Sequence, residues 1–510
     1  MQIRNVQKLS KSKLNHLKIF DKNFTRIFIM ELNIVSIIVI GCGSRGEVYS
    51  SYALMHPDRA KVVGLCDPRV HCVKKLAKIH EKTVDNTKIF TDWKDVVNSN
   101  KKLSDCVLIC LPDKLHRDAA IEFTKKGYHI LLEKPMATTL NDCKEITNAC
   151  RSWPSQINAV CHVLRYYSPC IKLKQLIESG LIGDVVNINH IEPVGFWHFA
   201  HSFVRGNWHN ENESAFSLLA KCCHDIDLLV YWMGSGKKCV KVSSFGSLKH
   251  FRKENAPRES TDNCFTCPVE QNCCYSAKKL YLDPKLKPGN WPSSVVLSSE
   301  INHIRNDSNQ VLIDDIEDFF LNKTDQEKLD FLERCLKSEK TNYGRCVYQM
   351  DNDVCDNQVV NMFFDDNSTA TLTMIAFSKD TCSRKTRVYG TKGELEWDDT
   401  VSHDKITHYD FLTRTSNLID CSDSKPLNIR NNDEPVVKNE HIKLTGHGGS
   451  DYWLMDSFVE AILKNDKSLI LTDVEDSFRS HLIVFAAEYS RVKDQIVDIN
   501  QFCRVNNINF

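Results

Sequence analysis

Apolar residues along this chain follow two different patterns, and the change between them divides it. Asn33 to Ile40 is a nearly continuous β-branched run without polar alternation, so it reads as a strand buried on both faces. Val62 to Cys66, Cys106 to Leu111 and His129 to Leu132 are runs of the same kind, with an amphipathic helical stretch from His116 to Lys126 among them. Strands alternating with helices predict an α/β domain built on a doubly wound parallel sheet. Beyond Cys150 the pattern becomes mixed. Val359 to Phe377 reads as two extended runs around the turn Asp365-Asp366-Asn367-Ser368, and Arg387 to Trp397 as a further hairpin, which predicts an antiparallel sheet. Leu454 to Leu463 and Val474 to Val492 have helical periodicity. The expected division is residues 1–29 as an extension, 30–152 as the first domain and 153–510 as the second, with a charged surface insertion at about 300–342.

The first strand runs directly into Gly41-Cys42-Gly43-Ser44-Arg45-Gly46. Three glycines at this spacing allow a tight turn, close backbone approach to a phosphate and close helix packing, and a helix starting near Ser44 aims its N-terminal amides at the anion. A glycine cluster alone is weak evidence for a dinucleotide site. The second strand strengthens it by ending in Asp67, about 20 residues further on, where an acidic side chain accepts hydrogen bonds from the adenosine ribose. Asp67 favours NAD, while Arg69 two residues later is able to receive a 2′-phosphate and keeps NADP open.

Composition narrows the partners. Lys plus Arg and Asp plus Glu both number 66, so no global field attracts nucleic acid or a membrane surface. No apolar run reaches the length of a membrane span and no secretory signal is evident, so a cytoplasmic protein is expected. The basic first 29 residues leave three alternatives: an unstructured extension, a start site upstream of Met30, or a mitochondrial transit peptide. The 22 cysteines are spread along the chain, several inside expected core strands, which fits reduced core thiols better than a disulfide framework. Cys264-x-x-Cys267 with Cys273 has a spacing that suits a structural zinc, the fourth ligand being Cys274 or the remote Cys346; free thiols are the alternative.

Leu111-Pro112-Asp-Lys-Leu-His116, followed by Gly127-Tyr-His-Ile-Leu-Leu-Glu133-Lys134-Pro135, resembles the glucose-fructose oxidoreductase and inositol dehydrogenase family, Gfo/Idh/MocA. Cys161-His162-Val-Leu-Arg165-Tyr166-Tyr-Ser-Pro169 and Ser217-Leu-Leu-Ala220-Lys221-Cys-Cys-His224-Asp225-Ile-Asp227 look like further blocks of it, although the family's usual aspartate four residues before the histidine is Ala220 here. The resemblance implies a Rossmann domain plus an α/β domain whose large, mostly antiparallel sheet walls the active site and often makes the oligomer contact. It further implies that the turn glycines, Ser44, Arg45, Asp67, Leu111, Pro112, His116, Glu133 and Lys134 bind the nicotinamide cofactor, with Lys134 beside the reacting carbon.

Removing a hydroxyl proton while hydride leaves carbon is best served by a base with a pKa near 7. His224 is therefore the expected acid/base and Lys134 the substrate orienter, with Lys221 as an alternative base because it shares a helical face with His224. His162, Arg165, His198, His201, Arg205 and Asp227 are candidate grips for a carbohydrate-like substrate, with Tyr166 and Trp197 stacking on its ring. The expected activity is NAD(P)-dependent hydride transfer at a secondary hydroxyl of a sugar, cyclitol or polyol by a homo-oligomer. Glycoside cleavage through NAD without net redox and a non-catalytic dinucleotide sensor remain alternatives, the latter because of Ala220.

Overall fold

A computed structural model describes residues 33–508 except 235, 284–290, 298–322, 427–443 and 445. The N-terminal extension and the first part of the expected charged insertion lie outside the described residues; the remainder of that insertion carries a helix, Asp325–Lys337, opened by a Thr324/Glu327 capping box.

Six strands form an all-parallel sheet: β1 (Val35–Ile40), β2 (Ala60–Cys66), β3 (Ile89–Phe90), β4 (Cys106–Ile109), β5 (His129–Leu132) and β6 (Asn158–Val160). Their order is β3-β2-β1-β4-β5-β6, with the reversal between β1 and β4 that opens a crevice at the strands' C-terminal ends. The central strands are buried along nearly their whole length because helices such as His116–Lys125 cover the faces, burying Ala119, Ala120 and Phe123. The change of pattern near residue 152 is not where this sheet ends. β6 lies beyond it and pairs with β5, so the sheet takes its last strand from residues assigned to the second domain.

The second sheet contains β7 (Val185–Pro193), β8 (Cys239–Ser247), β9 (Asn357–Phe364), β10 (Thr369–Ile375), β11 (Lys385–Gly390), β12 (Gly393–Asp398), β13 (Lys405–Asp410), β14 (Thr415–Asp420) and β15 (Val497–Asp498). Its order is β14-β13-β12-β11-β7-β10-β9-β8-β15, and every pair is antiparallel except β7 with β10. The period-2 alternation of β9 to β12 sends Val360, Met362, Leu372, Met374, Val388 and Leu395 to a face covered by helices. The Cys223–Met233 helix packs there against β7, and Val474–Lys493 against β8.

Val474–Lys493 also packs against Leu140–Ser152 of the first sheet's helical layer, and Val160 N–H donates to Thr472 O at 2.9 Å. Ser450–Lys464 packs on β1 and on the 163–166 turn. Val474–Lys493 therefore joins the parallel sheet to the antiparallel one, and the third-block residues 217–227 pack against it, the Cys223–Met233 helix also lying on β7.

Candidate active site

The glycine turn is held by backbone contacts that leave no room for side chains. Gly41 has φ +98, and a Cβ there would lie 2.3 Å from Cys110 O; a Cβ on Gly46 would lie 2.1 Å from Gly41 O. The Ser44–Ser50 helix starts where expected, with Ser44 exposed. Asp67 is fixed to the turn by accepting from Cys42 N–H at 2.8 Å.

Arg45 projects from the turn toward β5. Its Nε donates to Glu133 Oε1 at 2.8 Å and its Nη2 to Asp451 Oδ1 at 2.8 Å. Glu133 also accepts from Tyr49 Oη at 2.8 Å and from the Lys134 backbone N–H at 2.7 Å. Burial alone would raise the Glu133 carboxyl, but Arg45 and Lys134 outweigh it and hold the group below its ordinary range. Arg45 and Glu133 are thus committed to each other.

Lys134 Nζ donates to Ala220 O at 2.9 Å and makes no ion pair among the described residues. This bond draws the Glu-Lys-Pro segment against the third block. His224, 6% exposed, sits near this ammonium; its Nδ1 is buried without a hydrogen-bond partner among the described residues, and its ring centroid is 5.5 Å from that of His162. Burial first, then Lys134, His162 and His447, push the imidazole well below its ordinary pKa. His224 is therefore neutral near pH 7, a proton acceptor that is weaker than a free histidine.

Lys221 does not accompany it. Residues 221 and 222 separate the short Ser217–Ala220 helix from Cys223–Met233, so the shared helical face expected for Lys221 and His224 is interrupted. The Lys221 side chain turns to the sheet instead, with Nζ 2.9 Å from Cys382 Sγ and 3.4 Å from Glu192 Oε1. Burial would lower this lysine, but Cys382 and Glu192 raise it above its ordinary range. It is a fixed cation, which argues against the role of alternative base.

A sequence profile of an oxidoreductase family's NAD-binding Rossmann fold matches residues 35–158, and the profile of the same family's C-terminal alpha/beta domain matches residues 174–267. Both profiles are those of the Gfo/Idh/MocA oxidoreductase family, to which this chain is similar over these two segments. Among curated relatives, the 2,7-anhydro-N-acetylneuraminate hydratase of Escherichia coli is 26% identical over 214 residues, 42% of this chain and 53% of that protein. The inositol 2-dehydrogenase of Salmonella typhimurium is 22% identical over 204 residues, 40% of this chain and 56% of that protein. The chain thus spans about half the length of these curated relatives. A solved levoglucosan dehydrogenase in complex with NADH and levoglucosan superposes with TM-score 0.60 at 15% identity, covering 91% of this chain and 99% of that one, which shows the shared fold.

Several residues expected to serve a Gfo/Idh/MocA site are engaged elsewhere. His116 places Nδ1 2.8 Å from Pro135 O and Nε2 2.9 Å from Leu111 O, so the ring ties the two loops together and leaves no nitrogen for a cofactor. Arg165 pairs with both oxygens of Asp227, at 2.7 and 2.8 Å, and donates to Leu471 O at 2.7 Å. Asp227 is buried in that pair. Tyr166 is fully buried, its hydroxyl accepting from Leu471 N–H at 3.0 Å. Arg165, Asp227 and Tyr166 therefore brace the core rather than face a substrate. Arg205 is likewise committed, donating to Arg345 O and Tyr275 O, and His201 bonds Tyr281. His162 stays beside His224, and His198 lies 3.2 Å from Cys382 Sγ with its ring against Trp291, itself in contact with Trp197. Leu111 is half-buried and Pro112 exposed at the end of β4.

Sequence spacing missed the wall behind Lys221. Arg384 bonds Asp225 Oδ1 at 2.7 Å and lies 3.3 Å from Glu192 Oε2, while His190 contacts Asp225 at 3.0 Å. Burial would raise Asp225, but Arg384 and His190 hold it well below the usual carboxylate range. Arg384 is more than 150 residues from its partners, so only the pairing of β7 with β11 brings it there. Cys264, Cys267, Cys273 and Cys346 line one small cavity with Arg205, yet among the described residues no three Cys, His, Asp or Glu groups converge closely enough to hold a metal ion. None of these cysteines is in a disulfide.

Proposed function

We propose that this protein transfers hydride between a nicotinamide cofactor and a secondary hydroxyl of a sugar, cyclitol or related polyol. The observation that carries the reading is the placement of Lys134. Its ammonium is anchored on Ala220 O, lacks a carboxylate partner among the described residues, and stands beside the neutral imidazole of His224, whose Nδ1 has no hydrogen-bond partner among the described residues, at the C-terminal end of the parallel sheet. The nicotinamide group would supply the hydride acceptor or donor, held by the glycine turn and by the crevice edge at Leu111 and Pro112. Lys134 orients the substrate oxygen and stabilises the negative charge that grows on it as its proton departs. His224 accepts that proton and returns it in the reverse direction. His162 backs His224, and His198 with Trp197 and Trp291 offers a polar and aromatic wall for the rest of the substrate.

The curated hydratase relative favours a second reading, in which hydride leaves and returns within one cycle and no net redox occurs. The test is a screen of the purified chain with NAD and NADP against sugars, sugar acids and inositols, following the reduced nicotinamide band. Accumulating reduced cofactor supports dehydrogenation; substrate conversion at constant cofactor supports the second reading; binding without any conversion overturns both. Self-association through the uncovered face of the second sheet, where Val186, Ile191 and Phe245 are exposed, belongs to the same reading and is checked by sedimentation.

A further inference from the structure

Cofactor choice turns on a salt bridge at the end of β2. Asp67 Oδ1 accepts from Arg69 N–H at 2.9 Å and from Arg69 Nε at 2.9 Å. Its Oδ2 accepts from Arg69 Nη2 at 2.8 Å and from Cys42 N–H at 2.8 Å. A carboxylate has about four acceptor positions, and all are filled. For Asp67 to receive the two ribose hydroxyls of NAD it must give up bonds to a guanidinium, which are among the stronger ones a carboxylate makes.

Arg69 is placed for the opposite preference. Its side chain is 44% exposed, and Nη2 lies 3.1 Å from where a Cβ on Gly43 would stand, directly over the dinucleotide turn. Nε and one Nη2 hydrogen serve Asp67; among the described residues Nη1 and the second Nη2 hydrogen have no partner. The ribose edge thus carries one negative and one positive group, paired, with donors left over. Asp67 alone would repel a 2′-phosphate, but the pair does not, and the unused donors fit its oxygens.

We infer that Arg69 sets the cofactor choice and that the adenosine pocket takes a 2′-phosphorylated nicotinamide dinucleotide at least as readily as the 2′-hydroxyl form. This revises the preference for NAD that Asp67 suggests in the sequence, and it rests on the nicotinamide-binding part of the proposed function. It needs no substrate to test. NADPH and NADH are titrated separately into the full chain, following the cofactor's own fluorescence. The expected result is a Kd for NADPH no higher than that for NADH. Arg69→Ala is expected to weaken NADPH by roughly 10- to 100-fold, the worth of one to two charge-assisted contacts, while leaving NADH no weaker and tightening it where the freed Asp67 takes the ribose hydroxyls. Arg69→Lys, which keeps the charge but not the fork, should fall between. NADH binding about tenfold or more tightly than NADPH in the intact chain overturns the inference, as does an Arg69→Ala variant that shifts both cofactors alike. Failure of both to bind the intact chain overturns the dinucleotide reading beneath it as well.

Discussion

The two sheets handle buried charge in opposite ways. At the end of the parallel sheet, Lys134 keeps an ammonium whose only described bond is to a backbone carbonyl, beside His224 with an unpartnered nitrogen. Against the antiparallel sheet, Lys221, Arg384, Glu192, Asp225 and His190 close into a network in which each charge meets an opposite one. Both lysines come from segments that look equally suited to chemistry in the sequence. The difference teaches that a lysine's freedom to act is decided by its tertiary partners: the first lysine has charge to offer a substrate, and the second has given its charge to the fold.

The comparison is broken most severely at its two extremes. Lys134→Ala should lower turnover by about 10³-fold or more, the scale of a lost electrostatic contact to a developing oxyanion, with an unchanged melting temperature. Arg384→Ala should do the reverse, costing roughly 3–5 kcal/mol in urea unfolding because Asp225 and Glu192, both 0% exposed, would be left without their guanidinium. His224→Ala should reduce turnover by about 10²-fold or more at neutral pH without changing cofactor affinity. Smaller effects sharpen the contrast. Lys221→Gln should lower activity modestly and leave the limbs of the pH–rate profile where they are, since a lysine raised above its ordinary range does not titrate near neutrality.

Stability should follow pH with a definite sign. Burial pushes His129 and His201 down to about 4 and His481 to about 3. The unfolded chain binds protons at these residues from about pH 6.5 downward while the folded chain does not. Their contribution is therefore complete above pH 6.5 and is lost as pH falls toward about 4. Thermal melts at pH 7.5, 6 and 5 should show a progressive fall in Tm; a Tm that rises over this range contradicts the assignment.

Much of this fold was legible because its strands are written in patterns with a short period. The glycine turn, the continuous runs of β1, β4 and β5 and the hairpins of β9 to β12 lie where apolar periodicity placed them. β6 was not seen, because a three-residue strand after a polar loop carries too little pattern to mark the end of a sheet. Site residues divided along the same line. Lys134 and His224 were singled out through local motifs, and the fold brings them together. Arg165, Tyr166 and Asp227 have side chains equally suited to gripping a sugar, and only Leu471 and the Arg165–Asp227 pairing reveal them as braces. Arg384 had no local signal, since it meets its partners across a long stretch of chain.

The most direct test of the central claim, that the Lys134 ammonium at the parallel sheet performs the chemistry, is the turnover of folded Lys134→Ala beside the intact chain on the substrate found by the nicotinamide screen. The account predicts a loss of about 10³-fold or more with the melting temperature and cofactor affinity intact. A variant that turns over within about threefold of the intact chain would contradict it and move the reacting centre away from Lys134.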